Sequence, residues 1–337
     1  MYYFPMKNIA IIGGGLSGLY SATLLENNCS VTLFEARERL GGRVYTIDGF
    51  DLGPSWIWPH QNRILELVRS LGLSVFRQYE SSEALYETPQ EVQRFNQAPN
   101  APSGRIIGGI GALIDQLAHQ LKTTQINLSE TVQSFTQEND HILLTTHKGK
   151  YLFDHVIITL PPRLTQQSLR FEPPLPAKLQ NDFASIPTWM GHSVKCVIEF
   201  ETPFWREMGL SGFCFSHSGP MGEIHDACTF ERYALFGFIR SDADMRTIEI
   251  QVRRQLQRLF GESASPIIGF HCVDWRQEQF TSVKADARPL MEHPSYGVDY
   301  DYLNDKITVI GTETSYNEGG YLEGSLASTD RIKHLLY

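Results

Sequence analysis

The chain has 337 residues, of which 42% are hydrophobic and 20% are charged, and its formal net charge at pH 7 is −9. This length allows about two domains with a well-buried core, and the acidic balance excludes nucleic acid or an anionic membrane as the main partner. No stretch is apolar and long enough to predict a membrane span. The five cysteines are scattered and form no C-x-x-C pair, which predicts free thiols in the cytoplasm, and no histidine spacing indicates a metal site.

The first elements of the chain form a β-turn-α-β unit. An apolar run from Ile9 to Ile12 predicts a buried strand. The sequence Gly13-Gly14-Gly15-Leu16-Ser17-Gly18 follows it and satisfies G-x-G-x-x-G. A helical pattern begins at Leu16, and a second predicted strand, Val31 to Phe34, ends at Glu35. Together these elements predict a Rossmann-type α/β domain.

The glycines and the acid of this unit have separate physical roles. Gly13 permits the tight turn, Gly15 leaves room for a pyrophosphate against the backbone, and Gly18 lets the helix pack closely on the sheet. The helix N-terminus offers free N–H groups and the positive end of its dipole to phosphates. Glu35 is placed to accept the ribose hydroxyls of an adenosine. The unit therefore predicts an adenine-dinucleotide site.

The rest of the chain is predicted to contain strands and helices on either side of one clear change in composition. Residues from Phe76 to Ser103 are polar and contain three prolines, so we expect a short polar link there. Helical patterns cover 62–71, 245–260 and 322–335, and within 105–121 a glycine-rich turn leads into another amphipathic helix. Strands are predicted for 126–134, 142–146, 151–154, 155–160, 193–200, 234–239, 267–273 and 307–310. The stretch 164–186 is punctuated by prolines, and its segment 171–176 is expected to cross between two domains.

The residues that follow the first acid carry a family resemblance. The string EARERLGGRVYTIDGFDLGPSWIWPHQNRILELVRSLGL resembles the flavin amine oxidases, the family of monoamine and polyamine oxidases and some L-amino-acid oxidases. Later segments that also resemble this family are VIITLPPRL, FEPPLP, SVKCVIEFETPFW and ITVIGTETSYNEGGYLEGSLASTDRI. The resemblance fails at 76–103, where family members carry a longer, largely helical segment. It implies that the cofactor is FAD.

The resemblance also implies the domain organisation. We expect an α/β protein with a Rossmann-type FAD-binding domain and a smaller, truncated α+β substrate domain built on a mixed sheet. The FAD-binding domain is expected to be discontinuous and to comprise 1–78, 104–184 and 279–337. The substrate domain is expected to comprise 79–103 and 185–278.

Several residues match family positions that contact FAD. Arg43 is expected to pair with phosphate or with the flavin dipole, and Glu313 with the ribityl chain or the pyrophosphate end. The helix after Gly320 should present its N–H groups to the flavin. The expected FAD contacts are Gly13, Gly15, Gly18, Glu35, Arg37, Gly42, Arg43, Ser55, Trp56, Val132, Glu313, Gly320, Tyr321 and Leu322. No cysteine follows Cys272, in the region where monoamine oxidases attach their flavin, so we expect non-covalent FAD.

Three residues are expected to take part in catalysis. Lys195 matches the family lysine that holds a water against flavin N5, although alternation along its strand would also allow it to face solvent. Tyr321 matches one wall of the aromatic cage that frames the amine. The second wall would fall at Lys284-Ala285, which is not aromatic, so the cage is expected to be incomplete or built from elsewhere. Trp275 is expected to support the flavin ring, or simply to belong to the core.

Glu318 and His225 are candidate substrate contacts. Glu318 stands where the family has an aromatic residue before the small-Gly-Tyr triplet. It is either an exposed loop carboxylate or the partner of a second positive charge on the substrate. His225 and the adjacent Asp226 should point to opposite faces of an extended segment, so we expect His225 only to line the pocket.

The resemblance implies a FAD-dependent oxidoreductase that oxidises a C–N bond of an amine or amino acid by hydride transfer to flavin N5. Oxygen would then reoxidise the flavin and yield hydrogen peroxide, so the partners are a small-molecule amine and oxygen. Three alternatives stay open: a flavin dehydrogenase or desaturase with another acceptor, a renalase-like oxidase of a small dihydropyridine, and a non-catalytic FAD-stabilised interaction protein. The sequence indicates no oligomeric state.

Overall fold

The computed structural model describes residues 6–97, 102–298, 301–302 and 305–336. The strands of the first half, numbered in chain order, are β1 (Lys7–Ile12), β2 (Cys29–Phe34), β3 (Thr46–Ile47), β4 (Phe50–Asp51), β5 (Val75–Arg77), β6 (Glu83–Glu87), β7 (Val92–Asn96), β8 (Gly104–Ile106), β9 (Gln125–Asn127), β10 (Val132–Glu138), β11 (His141–Thr146), β12 (Lys150–Phe153) and β13 (His155–Ile158). The later strands are β14 (Arg170–Glu172), β15 (Val194–Phe200), β16 (Leu210–Ser216), β17 (Met221–Asp226), β18 (Tyr233–Ile239), β19 (Ile267–Asp274), β20 (Asp301–Tyr302) and β21 (Ile307–Val309). The α-helices are α1 (Leu16–Leu25), α2 (Asn62–Ser70), α3 (Gly111–Gln120), α4 (Pro162–Ser168), α5 (Ala177–Ser185), α6 (Phe204–Glu207), α7 (Ile248–Phe260) and α8 (Leu322–Ala327), and a 3-10 segment follows at Ser328–Leu336.

A six-stranded sheet with the order β20-β21-β13-β1-β2-β9 is the centre of the first region. Its neighbouring strands are parallel except for β20 and β21. Ile9 and Ile11 belong to the core cluster that α1 and α3 share, whereas Ala10 and Ile12 pack with the four-stranded sheet β12-β11-β10-β14. Because both faces of β1 are covered from Ile9 to Ile12, that part of its sequence is continuously apolar.

A seven-stranded mixed sheet with the order β19-β15-β18-β17-β16-β6-β7 forms the second region. Its pairs are antiparallel except for β16 and β6, which are parallel. Alternate residues of β15, from Val194 to Phe200, pack into the cluster that contains α7. On the opposite face, Val197 packs with Phe50 and Leu52 of the first region. Lys195 shares the face of Val197, because side chains two residues apart in a strand point the same way.

The expectation of a short polar link at 76–103 is wrong for the described residues of that stretch. β5 pairs with β8, and β6 and β7 extend the seven-stranded sheet. All five residues of β7 are exposed, because this strand forms the edge of the sheet, and an exposed edge strand has the polar composition of a link. Residues 98–101, with the proline at 99, lie outside the described residues.

Three further differences from the sequence expectation concern the second half of the chain. β16 and β17 have no counterpart among the predicted strands, and the proline-punctuated stretch 164–186, for which no regular elements were predicted, includes most of α4 together with β14 and α5. The predicted closing helix is α-helical only in its first part. The proposed domain boundaries stay a prediction. In the part of the chain that the structure describes, no helix combines the length and apolar character that a membrane crossing requires.

Candidate active site

A cavity of about 720 Å³ lies where the two regions meet. It is lined by residues that follow the carboxyl ends of β1, β2 and β13, the usual ligand-binding edge of an open α/β sheet. We call one part the glycine end (Gly13, Gly15, Glu35 and Val132) and the other the lysine end (Lys195, Trp275, Gly320 and Tyr321). Of the predicted FAD contacts, those that line the cavity are Gly13, Gly15, Glu35, Arg37, Gly42, Arg43, Ser55, Trp56, Val132, Gly320, Tyr321 and Leu322.

The glycine end is formed by backbone that approaches itself closely. A Cβ atom on Gly18 would lie 2.0 Å from the carbonyl oxygen of Gly13, so only glycine permits this helix to start against the turn. A Cβ atom on Gly15 would meet nothing nearer than 3.8 Å, which leaves free space beside the backbone. The buried Glu35 carboxylate accepts hydrogen bonds from the N–H groups of Gly14 and Arg37, both at 2.8 Å. This geometry leaves room for a phosphate-bearing ligand and fixes the acid beside it.

Arg37 lines the cavity and reaches towards a distant segment of the chain. Its guanidinium donates to the Glu278 carboxylate at 2.9 Å and to the Thr281 hydroxyl at 2.8 Å. The long side chain therefore joins the glycine end to the segment that follows Trp275. The sequence gave no sign of this contact, because Arg37 and Glu278 are 241 residues apart.

Arg43 and Glu313 form a bidentate ion pair next to the cavity. Arg43 Nη2 donates to Glu313 Oε2 at 2.9 Å, and the backbone N–H of Trp189 donates to the same buried carboxylate at 3.1 Å. Burial acts to lower the pKa of Arg43, but the charge of Glu313 outweighs that effect and raises it. Glu313 does not itself line the cavity. Its expected contact with the ribityl or pyrophosphate part of FAD stays a prediction.

Lys195 points into the lysine end, so the solvent-facing alternative is wrong. It is only 3% exposed, and its Nζ donates to the carbonyl of Gly53 at 2.9 Å and to the hydroxyl of Ser55 at 2.6 Å. The ammonium also lies 4.1 Å from the ring centre of Phe236, within cation–π range. Burial lowers the pKa of Lys195 to about 7, a shift that Asp51 opposes and Arg105 reinforces. The lysine end thus holds a cation whose charge changes near neutral pH.

Aromatic rings from separate segments surround Tyr321. The ring centre of Trp58 is 5.7 Å away, that of Trp189 is 6.1 Å away, and His293 stacks in parallel at 5.2 Å. Gly320 has φ +88°, and a Cβ there would lie 2.8 Å from the Trp189 ring, so this glycine allows the ring to pack closely. Sequence reasoning placed no aromatic wall at Trp58 or Trp189, although Trp58 lies within the string that carries the family resemblance.

The three other predicted residues occupy different places. Trp275 lines the cavity, is buried, and donates its indole N–H to the carbonyl of Leu52 at 3.0 Å. His225 does not line the cavity; it packs against Trp56 and its Nε2 lies 2.6 Å from the carboxylate of Glu223. Glu318 does not line it either. Gln61 donates to the Glu318 carboxylate at 3.0 Å, and His60 lies 3.4 Å from it. The substrate roles of His225 and Glu318 stay predictions.

A row of neighbouring side chains extends from the cavity across the seven-stranded sheet. The strand registers pair, in turn, the residues that we call the aromatic row: Lys195, Phe238, Glu223, Phe215 and Tyr86. At the far end Phe215 is 41% exposed, and its ring stacks with that of Tyr86. The sheet face beside Lys195 therefore continues from the cavity to the surface.

Comparison with known proteins assigns the family. Residues 95–331, more than half of the chain, match the family described as flavin containing amine oxidoreductase. The chain belongs to the flavin containing amine oxidoreductase family. Residues 11–71 match an NAD(P)-binding Rossmann-like domain. The predicted α/β fold class, the FAD cofactor and the assignment as a FAD-dependent oxidoreductase are confirmed.

Relatives of this amine oxidoreductase have low sequence identity but align over most of their length. Flavin-containing amine oxidase B of Homo sapiens is 23% identical over 445 aligned positions, which cover 96% of this chain and 85% of that protein. An L-amino acid dehydrogenase of Synechocystis is 24% identical and covers 94% and 92%. Among solved structures, putrescine oxidase bound to putrescine has a TM-score of 0.80 at 19% identity, covering 97% of this chain and 98% of that one. Cyclohexylamine oxidase from Brevibacterium oxydans has a TM-score of 0.82 at 19% identity, covering 98% and 99%.

Proposed function

We propose that the protein oxidises a C–N bond of a small amine and uses oxygen as the final electron acceptor. The observation that carries the proposal is the state of Lys195. Among the described cations that line the cavity, Arg37 and Arg43 are paired with Glu278 and Glu313. Lys195 instead has neutral contacts, with Gly53, Ser55 and the ring of Phe236. Burying a cation without a counterion destabilises the folded protein, and such groups are concentrated at functional sites.

The residues of the cavity fit FAD. The free space beside Gly15 and the N-terminus of α1 suit a pyrophosphate, and Glu35 suits the adenosine ribose. Gly320 and Leu322, at the start of α8, suit the flavin ring. When bound, FAD supplies the hydride acceptor for the carbon next to the amine nitrogen and passes the electrons on to oxygen, which yields hydrogen peroxide. Lys195 supplies a positive charge at this end and, through its N–H groups, a site for an ordered water.

The charge of the lysine end favours a neutral amine. Tyr321, Trp58 and Trp189 line the cavity together with Lys195, and the positive charge of Lys195 disfavours a second cation, the ammonium form of a substrate, beside it. A neutral nitrogen lone pair is what hydride loss from the adjacent carbon requires. The resulting imine is then hydrolysed by water to a carbonyl compound and ammonia or a smaller amine. This chemistry demands positioning from the protein rather than a dedicated acid or base.

The charges of the cavity favour amines over amino acids. Both arginines that line it in the described part of the chain are held by glutamates, and Lys195 already donates to Gly53 and Ser55. A substrate carboxylate would therefore lack a free guanidinium to pair with. The solved relatives named putrescine oxidase and cyclohexylamine oxidase support an amine substrate of this kind.

We infer that FAD is held without a covalent bond. All five cysteines lie in the described residues as free thiols, and none of them lines the cavity. Acid precipitation of the purified yellow protein should leave all of the flavin in the supernatant. Flavin that stays with the pellet would contradict this inference. The free thiols also support a reducing compartment, and we propose the cytoplasm.

The decisive experiment is anaerobic mixing of the FAD-loaded protein with a panel of amines and amino acids. We expect bleaching of the flavin absorbance with primary amines, and slower bleaching with the matching amino acids. Readmission of oxygen should restore the colour and release one equivalent of hydrogen peroxide. A flavin that no amine reduces would favour a non-catalytic FAD-binding protein.

The relative named L-amino acid dehydrogenase supports a second candidate, in which another acceptor replaces oxygen. The two candidates differ in the reoxidation step alone. Rapid bleaching by an amine followed by slow recovery in air would identify the dehydrogenase. Fast recovery in air would identify the oxidase that we propose.

A further inference from the structure

A second cavity, smaller than the first, lies beside the seven-stranded sheet. Its volume is about 340 Å³, and it shares no lining residue with the cavity that Lys195 lines. Its walls come from the turn between β16 and β17, from the residues that follow β18, and from α7, which packs on the face of the sheet opposite to Lys195. We call this cavity the arginine pocket, because Arg240, Arg254 and Arg258 line it.

Buried polar side chains behind the lining hold Arg258 and the neighbouring turn. Arg258 Nε donates to the buried Glu87 carboxylate at 3.0 Å. The same carboxylate accepts hydrogen bonds from the hydroxyl of Ser216 at 2.6 Å and from the amide of Gln255 at 3.2 Å. The Ser216 oxygen in turn accepts from the backbone N–H groups of residues 218 and 219, both at 3.1 Å. Because buried polar groups require such partners, this network fixes one wall of the arginine pocket.

Arg240 is held at the opposite wall by weaker contacts. It donates to the exposed Asp242 carboxylate through Nε and Nη2, both at 3.2 Å, and to the carbonyl of His217 through Nη1 at 3.3 Å. A guanidinium has five N–H groups, so Arg240 keeps donors for a ligand. Exposed ion pairs of this kind are weak, and Asp242 can therefore release Arg240 to a competing anion.

Arg254 differs from its neighbours on α7. Arg253 is paired with Glu249 at 2.7 Å, and Arg258 is paired with Glu87. Arg254 lines the arginine pocket, is exposed, and makes no hydrogen bond or ion pair with any residue that the structure describes. Its guanidinium is therefore available to a ligand.

The charges of the arginine pocket favour a phosphate group. Three guanidiniums face two carboxylates, Asp242 in the lining and Glu87 behind it, so positive charge is in excess although the whole chain has a formal net charge of −9. A phosphate group carries close to two negative charges and three acceptor oxygens, which is one oxygen for each guanidinium. A carboxylate has a single charge and two oxygens. Guanidiniums also suit the planar, bidentate recognition of phosphate.

We propose that the arginine pocket binds a phosphate group of a small anion. Arg254 contributes an unpaired charge, Arg258 is positioned by Glu87, and Arg240 exchanges Asp242 for the ligand. The proposal goes beyond the proposed function, because the residues that suit FAD and the amine line the other cavity.

The test is isothermal titration calorimetry of the oxidised, FAD-loaded protein with pyrophosphate at low salt. We expect a dissociation constant of about 1 mM or tighter. Arg254→Gln should weaken binding by about tenfold or more, because it removes one charged contact. Arg253→Gln removes the same charge from the same helix but outside the arginine pocket, so it is the matched control and should stay within about twofold of wild type.

A second pair of variants should change the affinity in the other direction. Asp242→Asn removes the acid that competes for Arg240, so it should strengthen binding of pyrophosphate by about threefold or more. Glu249→Gln removes an equal charge outside the arginine pocket and should have little effect. Asp242 and Arg254 are both exposed, so neither substitution endangers the fold. Binding weaker than about 1 mM in wild type, or an affinity that Arg254→Gln leaves unchanged, would overturn the proposal.

Two further measurements identify the ligand class and the place of binding. Citrate, which has a similar charge carried on carboxylates, should bind at least about tenfold more weakly than pyrophosphate, and equal binding would overturn the choice of phosphate. Flavin fluorescence should stay constant throughout the titration. Release of FAD would mean that pyrophosphate enters the glycine end instead, which would also overturn the proposal. None of these measurements uses an amine, so the proposal and amine oxidation can fail separately.

Discussion

Apart from Val132, the glycine end of the cavity is formed by residues close together in the chain, whereas the lysine end gathers residues from distant segments. Gly14 and Glu35, which are hydrogen bonded, are 21 residues apart. Lys195 and Ser55 are 140 residues apart, and the ring of Tyr321 meets those of Trp58 and Trp189. The first end depends on the lengths of one strand, one turn and one helix. The second depends on how two sheets are placed relative to each other.

This difference suits the two ends of the cavity to different tasks. The glycine end has rigid backbone and fixed donors, which suit a binding task that is the same for any substrate. The lysine end holds a cation with a lowered pKa and several aromatic rings, which suit a chemical step and substrate selection. Changes at the glycine end should therefore alter FAD affinity, and changes at the lysine end should alter rates in the fully loaded protein.

The largest expected effect is on oxygen chemistry in Lys195→Met. Loss of the positive charge at the lysine end should slow reoxidation of reduced flavin by about 100-fold, because a preorganised charge is removed from a site shielded from water. FAD affinity should change little. Stopped-flow reoxidation measures the first effect and flavin fluorescence titration the second. Lys150→Met, at an exposed position on β12, is the control, and a Lys195→Met rate equal to wild type would remove Lys195 from the mechanism.

The converse pattern is expected for Glu35→Gln at the glycine end. The Glu35 carboxylate accepts charge-assisted hydrogen bonds from two backbone N–H groups. Loss of one charged contact of roughly 1.5–3 kcal/mol should weaken FAD binding by about tenfold or more, while turnover at saturating FAD stays near wild type. Glu38→Gln, three residues further on and exposed, should show neither change. Unchanged affinity in Glu35→Gln would mean that the adenosine is not held as proposed.

The same contrast explains what sequence reasoning could reach. The G-x-G-x-x-G motif and Glu35 were predictable because spacing within one β-α-β unit determines where each residue lies. For Lys195 the sequence alone did not decide whether the side chain points to solvent or to the cavity. The packing of Phe50 and Leu52 against β15 decides it. No local pattern predicts that Trp58 and Trp189 meet Tyr321, since sheet placement brings them together. β7 was mistaken for part of a polar link, because a strand exposed at the edge of a sheet has a polar composition.

A third prediction concerns pH and follows from Lys195. Burial lowers the pKa of this lysine to about 7, so the ammonium is present below that pH and is lost as the pH rises through it. If the positive charge promotes reoxidation, the rate should fall by about tenfold or more as the pH rises through the titration of Lys195. The profile should be flat in Lys195→Met. A wild-type profile that is also flat would show that the lysine keeps one charge state throughout.

The smallest effect is expected for Glu318→Gln, which tests whether Glu318 belongs to the lysine end. The Glu318 carboxylate is held by Gln61, lies beside His60 and does not line the cavity. A partly exposed contact of this kind is worth about 0–1 kcal/mol, so the KM values of a monoamine and of a diamine should both stay within about twofold of wild type.

Glu223→Gln provides the comparison for this last prediction, because Glu223 belongs to the aromatic row that continues from Lys195 and is partly exposed. Steady-state kinetics with a monoamine and a diamine of equal chain length, on both variants, distinguish the two carboxylates. A rise of about tenfold in KM for the diamine alone in Glu318→Gln, about the worth of one charged contact, would contradict the structural reading and make Glu318 the partner of a second substrate cation. The same selective rise in Glu223→Gln alone would extend the substrate site along the aromatic row. Since Glu318 is turned towards Gln61 and His60 and Glu223 is turned towards His225, and neither carboxylate lines the cavity, we expect no diamine selectivity in either variant.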